Sequence, residues 1–155
     1  MGVELVSFWD LPDIDKTAEE TEKFLLKYPD LLEMRAGRKI TDLSSPLMDV
    51  TGVHSHGRNY EEENTVRGAE ALEHLEAIRE TIDKLPFVSK ELLYYRYLKH
   101  EPVHKVRNQR IYMDHNSYTA AKKTALNQFA DMWEITQEEY GWDEDDCKHL
   151  QVFKN

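Results

Sequence analysis

Lys122 and Lys123 set two ammonium groups side by side, just after the short polar run Asn116, Ser117, Thr119 and Ala120. Those types suit a nucleic-acid duplex. Hydroxyls and amides reach base edges or phosphate oxygens, alanine leaves room for close approach or a thymine methyl, and lysines neutralise phosphates. Arg107 and Arg110 bring two more phosphate-seeking cations from the preceding segment. This chemistry is non-covalent. The local charge agrees with it, because residues 85–133 hold eight Lys/Arg against four Asp/Glu, a net of +4. Residues 1–84 carry ten against nineteen and residues 134–155 two against seven, within a chain of net −10. A phosphate backbone meets the local charge, not the total.

Such residues work only on a helix that locks one face into a core and offers the other to the groove. The spacing predicts a helix from an Asn116 or Ser117 cap to about Glu134, with Tyr118, Ala121, Ala125, Phe129 and Trp133 facing inward. Leu126, Ala130 and Met132 flank that face. Val103 to Ile111 forms a shorter helix before it, and Asp114 to Asn116 a polar turn between the two.

The rest of the chain is helical as well. Asp13 or Asp15 caps a helix through Lys27, Pro29 starts a second short one, and Gly37 ends it. Residues 38–60 are loop-like, with Ser44, Ser45, Pro46, Gly52 and Gly57. A long helix follows from about Tyr60 to Leu85, its stripe Ala71, Leu75, Ile78, Ile82 and Leu85 serving either the protein's own core or a dimer seam. Pro86 opens the next helix, to about Lys99, and Glu101-Pro102 breaks it. The acidic run Asp143 to Asp146 is a solvated turn, and His149 to Phe153 a short strand or a tail. Six Gly and five Pro in 155 residues favour an all-α fold over a loop-dense β-sandwich.

Several classes drop out. No apolar run is long enough for a signal peptide or a bilayer span, and lone Cys147 makes no internal disulfide, so a reduced cytoplasm is expected. There is no Walker motif, no G-x-S-x-G and no zinc spacing. No enzyme activity, cofactor or metal is expected. His54 and His56, two residues apart, lack a third ligand, and Cys147 with His149 forms no known metal pattern. His100, His104 and His115 flank the basic block, either adding charge in acid or standing as plain surface residues.

The stretch Leu85-Pro86, Leu92 to Leu98, Ser117-Tyr118 and Lys122 to Ala130 resembles the ArpU-like family of phage late transcriptional regulators. Arg35 to Arg38, Thr41 to Pro46, Asn59 and Glu61 to Glu63 follow that family's order, so the resemblance spans about Leu25 to Trp133. It implies a C-terminal helix-turn-helix similar to sigma-70 region 4, read into DNA by Asn116, Ser117, Thr119, Ala120, Lys122 and Lys123. It also implies a phage or prophage regulator of packaging, structural or lysis genes. The chain departs from the pattern at Arg107, Asn108 and Ala120-Ala121, and Tyr112 stands where relatives carry a turn glycine.

The expectation is therefore an acidic helical region over 1–84, a DNA-binding helix-turn-helix over 85–135 and an acidic tail over 136–155. The partner is double-stranded promoter DNA, with host RNA polymerase and a second copy as further candidates and no membrane. The rival reading is a protein-interaction module that docks on RNA polymerase without touching DNA.

Overall fold

The computed structural model describes residues 11–43 and 62–154; most of the expected 38–60 loop, with His54 and His56, lies outside them. The described residues are all-α. Five helices follow in order: α1 Ile14–Ala36, α2 Glu62–Asp83, α3 Phe87–Leu93, α4 Val103–Lys105 and α5 His115–Tyr140. Two of them run on into a π-helical turn, α3 into Tyr94–Leu98 and α4 into Val106–Arg110. The sole β pairing among the described residues is an isolated bridge between Pro12 and Phe153.

α1 is one helix, not two. Asp13 caps it by accepting the Lys16 N–H at 3.1 Å, and Gly37, at φ +70°, closes it. Pro29 sits inside. A proline there removes one helical hydrogen bond. Burial offsets the loss, since Thr17, Thr21, Phe24 and Leu25 are buried and Tyr28 and Leu32 carry the same stripe past the proline. The α2 stripe belongs to the core. Leu75, Ile78 and Ile82 are fully buried and Ala71 and Leu85 nearly so, which leaves no seam for a second copy along it.

α5 is the shared wall. Tyr118, Ala125, Leu126, Phe129, Ala130 and Trp133 are buried along it, and it packs on α1, α2 and α3. It runs six residues past the expected end at Glu134, because Thr136 and Gln137 are buried too. The Thr81 and Thr136 hydroxyls lie 2.8 Å apart, and Thr81 also reaches the Ala77 carbonyl at 2.8 Å. A carbonyl only accepts, so Thr81 donates to Ala77 and Thr136 donates to Thr81. Gln137 holds the tail through the Lys148 backbone, accepting its N–H at 2.7 Å and donating to its carbonyl at 3.1 Å.

α3 and α4 end alike. Lys99 N–H reaches the Tyr94 carbonyl and Ile111 N–H the Val106 carbonyl, both five residues back. One residue further on, His100 and Tyr112 turn left-handed, at φ 60° and 53°. Glu101 N–H then reaches Tyr95 and Met113 N–H reaches Arg107, both six residues back. These paired endings set the two turns that deliver the chain to α4 and to α5.

Candidate nucleic-acid interface

The cap of α5 is Asp114, ahead of the expected Asn116 or Ser117. Its carboxylate accepts the Ser117 N–H at 2.8 Å, and that bond holds the acid below its ordinary range. Asn116 and Ser117 consequently lie in the first helical turn. Asn116, Ser117, Thr119 and Ala120 are all exposed, while Tyr118 among them is buried. The Thr119 hydroxyl donates to the His115 carbonyl at 3.1 Å. The four short residues thus share an open face, and the same helix is anchored from behind by Tyr118, Ala125 and Phe129.

The four cations are differently placed. Lys122 Nζ lies 3.1 Å from Glu22 and Lys123 Nζ 2.6 Å from Asp15, both on α1. Their side chains stay 34% and 44% exposed. Burial pushes Glu22 up, but hydrogen bonds from Tyr97 and Lys122 outweigh it and leave the acid below its ordinary range. The Lys123 hydrogen bond lowers Asp15 likewise. The Asn127 amide adds a bond to the Ile14 carbonyl at 3.0 Å. α1 is fixed there by its core face, since the Phe24 ring lies 6.1 Å from Phe129 and 5.4 Å from Trp133.

Arg110 grips Glu101 with two bonds, Nε to Oε1 at 2.9 Å and Nη2 to Oε2 at 2.7 Å, and lies 4.1 Å over the Tyr95 ring. The pair raises the arginine and lowers the acid. Lys105 joins the same carboxylate at 3.6 Å. Arg107 donates to the Met113 carbonyl at 3.3 Å, so it ties the turn before α5. The structure therefore brings Asn116, Ser117, Thr119 and Ala120 together in the open. It gives Lys122, Lys123, Arg107 and Arg110 acceptors within the protein.

Sequence reasoning missed those acceptors. Glu22 and Asp15 stand about a hundred positions before their lysines, and no local spacing links them. Glu101 was nearer, nine residues before Arg110, but it read only as part of a helix break. Of the three histidines beside the basic block, His100 faces Asp30 at 3.4 Å, and His104 and His115 are exposed.

No family model, curated protein or solved structure matches this chain. Among the described residues there is no group of three or more His, Cys, Asp or Glu placed to hold a metal. No described helix is long and apolar enough to cross a membrane.

Proposed function

We propose that this chain is a DNA-binding transcriptional regulator, with α4, the turn 111–114 and α5 acting as a sigma-region-4-like helix-turn-helix. One observation carries the reading. Asn116, Ser117, Thr119 and Ala120 are exposed on the first turns of a helix whose other face is locked in the core. A long helix held from behind, with its N-terminal turns bare and short-chained, is the form that enters a major groove. The late-gene role in a phage or prophage rests on the family resemblance alone.

Lys122 and Lys123 then exchange a carboxylate for a phosphate. The exposed Lys123–Asp15 pair is worth only about 0–1 kcal/mol, so that exchange costs little; the half-buried Lys122–Glu22 pair costs more to open. Asp15 and Glu22 stay beside the duplex, however, and weaken any contact that lacks sequence complementarity. A salt titration of binding to a long DNA fragment tests the reading. The affinity falls as salt rises, and replacing Lys122 and Lys123 by alanine lowers the log–log slope by up to about two.

The satisfied cations favour a second reading, a docking module for RNA polymerase. With Lys122, Lys123, Arg107 and Arg110 already bonded within the protein, the open face is polar rather than cationic. Absent or salt-insensitive DNA binding, with polymerase still captured by the wild type and lost on changing Ser117 and Thr119, establishes that reading instead.

A further inference from the structure

A cavity of about 560 Å³ opens between the C-terminal half of α1, the middle of α2 and the tail that follows α5. That is the size range of small-ligand sites. Its floor is apolar and rigid. Phe24, Ile78 and Trp133 line it, and all three are buried parts of the main core. Its rim is charged, with Arg35, Arg67 and Lys148 set against Glu70 and Asp146. Three cations to two acids make this mouth positive in a chain of net −10.

The two arginines are the informative pair. Both are exposed, and neither has a hydrogen-bond or ion-pair partner among the described residues. Their elements meet closely, because a Cβ placed on Gly68 lies 3.4 Å from the Arg35 carbonyl oxygen. Arg67 is therefore carried on the backbone that touches Arg35, and both guanidiniums belong to one mouth. His74 adds a fixed polar edge. Its Nδ1 lies 2.9 Å from the Glu70 carbonyl, which only accepts, so Nδ1 carries the hydrogen. Its ring stacks on Trp142 at 4.1 Å, which leaves Nε2 as the uncommitted nitrogen.

We infer that this cavity binds a small ligand with a planar apolar body and one anionic group, the body on the Phe24–Trp133 floor and the anion at Arg35 and Arg67. An apolar floor with a few converging polar groups at one end is how such sites fix orientation. Guanidinium pairs well with carboxylate, sulfonate or phosphate because it donates in a planar fork. The site is separate from the DNA face. Trp133 lies sixteen residues beyond Ser117 in one helix, about 24 Å along its axis.

The test uses two dyes with the same rings, 8-anilinonaphthalene-1-sulfonate and its neutral analogue N-phenyl-1-naphthylamine, titrated into the folded 155-residue chain. The expected result is one saturable sulfonate dye per chain, with tryptophan emission transferred to it. Arg35→Ala and Arg67→Ala each weaken the sulfonate dye about tenfold and change the neutral dye less than twofold. Both side chains are exposed, so thermal melting of the two variants matches wild type and excludes misfolding as the cause. Absence of saturable binding overturns the inference. So does an equal response of both dyes to the arginine variants, or no response of either, since the cavity is then an apolar cleft without anion selectivity.

Discussion

Lys123 and Asp15 lie 2.6 Å apart, and Lys122 and Glu22 3.1 Å, so the residues most suited to phosphate already hold anions. This gives the DNA reading a test with a sign that a structural role does not share. Replacing Asp15 by Asn and Glu22 by Gln removes two negative charges beside the duplex and releases both lysines. Affinity for DNA then rises about tenfold at fixed salt, measured by fluorescence anisotropy. An unchanged or weaker affinity counts against a duplex on this face. Tyr112 makes the second case. It is 77% exposed and sits at φ 53°, where a Cβ is crowded. A left-handed L-residue costs roughly 1–2 kcal/mol, and glycine loses about 0.5–1 kcal/mol in chain entropy. Tyr112→Gly therefore stabilises the fold by about 0.5–1 kcal/mol, seen as a higher urea midpoint with unchanged slope. The break between the two helices was legible beforehand, from the polar run Asp114 to Asn116. The partners of the lysines were not, since only the tertiary packing of α1 on α5 creates them.

Among the elements, α2, α3 and the break at Glu101-Pro102 followed from hydrophobic spacing and proline. The errors cluster where a long-range contact outweighs a local signal. Pro29 marks a helix start by its own preference, yet the core stripe through Phe24, Tyr28 and Leu32 holds α1 continuous. The expected end of α5 at about Glu134 falls short; burial of Thr136 and Gln137 against α2 and the tail extends it to Tyr140. The tail itself is pinned through His149, with Nδ1 2.8 Å from Glu134 and Nε2 2.5 Å from Glu144. Hydrogen bonds to Glu134 and then Glu144 raise this imidazole above its ordinary value. A raised histidine adds stability that is fully present below its unfolded pKa, about 6.5. That stability fades as pH climbs through the folded value. The thermal-melting deficit of His149→Gln is thus larger near pH 5.5 than near pH 9. A deficit independent of pH shows that the imidazole pins the tail without its charge.

For the molecule as a whole, the all-α class was readable from composition and periodicity, and so was the charge reversal over residues 85–133. What that reversal does in three dimensions was not readable. The basic segment is folded against the acidic one, so opposite charges on distant parts of the chain meet along the α1–α5 contact. The exposure of Ser117, Thr119 and Ala120 at the start of α5 was anticipated; the engagement of Lys122 and Lys123 by α1 on that same helix was not. The cavity at Arg35 and Arg67 was not, because its walls come from α1, α2 and the tail, and no single stretch carries a signature of it. Residues from 1–84, 85–135 and 136–155 all enter one buried cluster, from Phe24 and Ile78 through Leu92 and Phe129 to Leu150.

That shared cluster bears on how the chain is made. α1, α2 and α3 each rest on α5, and synthesis delivers α5 after all of them. A nascent polypeptide that has left the ribosome only as far as the Tyr112 turn can pack α1 on α2, but the sides of Leu25, Ile78 and Leu92 that α5 covers stay open. Folding then waits on the synthesis of α5, and an arrested product ending before His115 lacks the helix that completes the core.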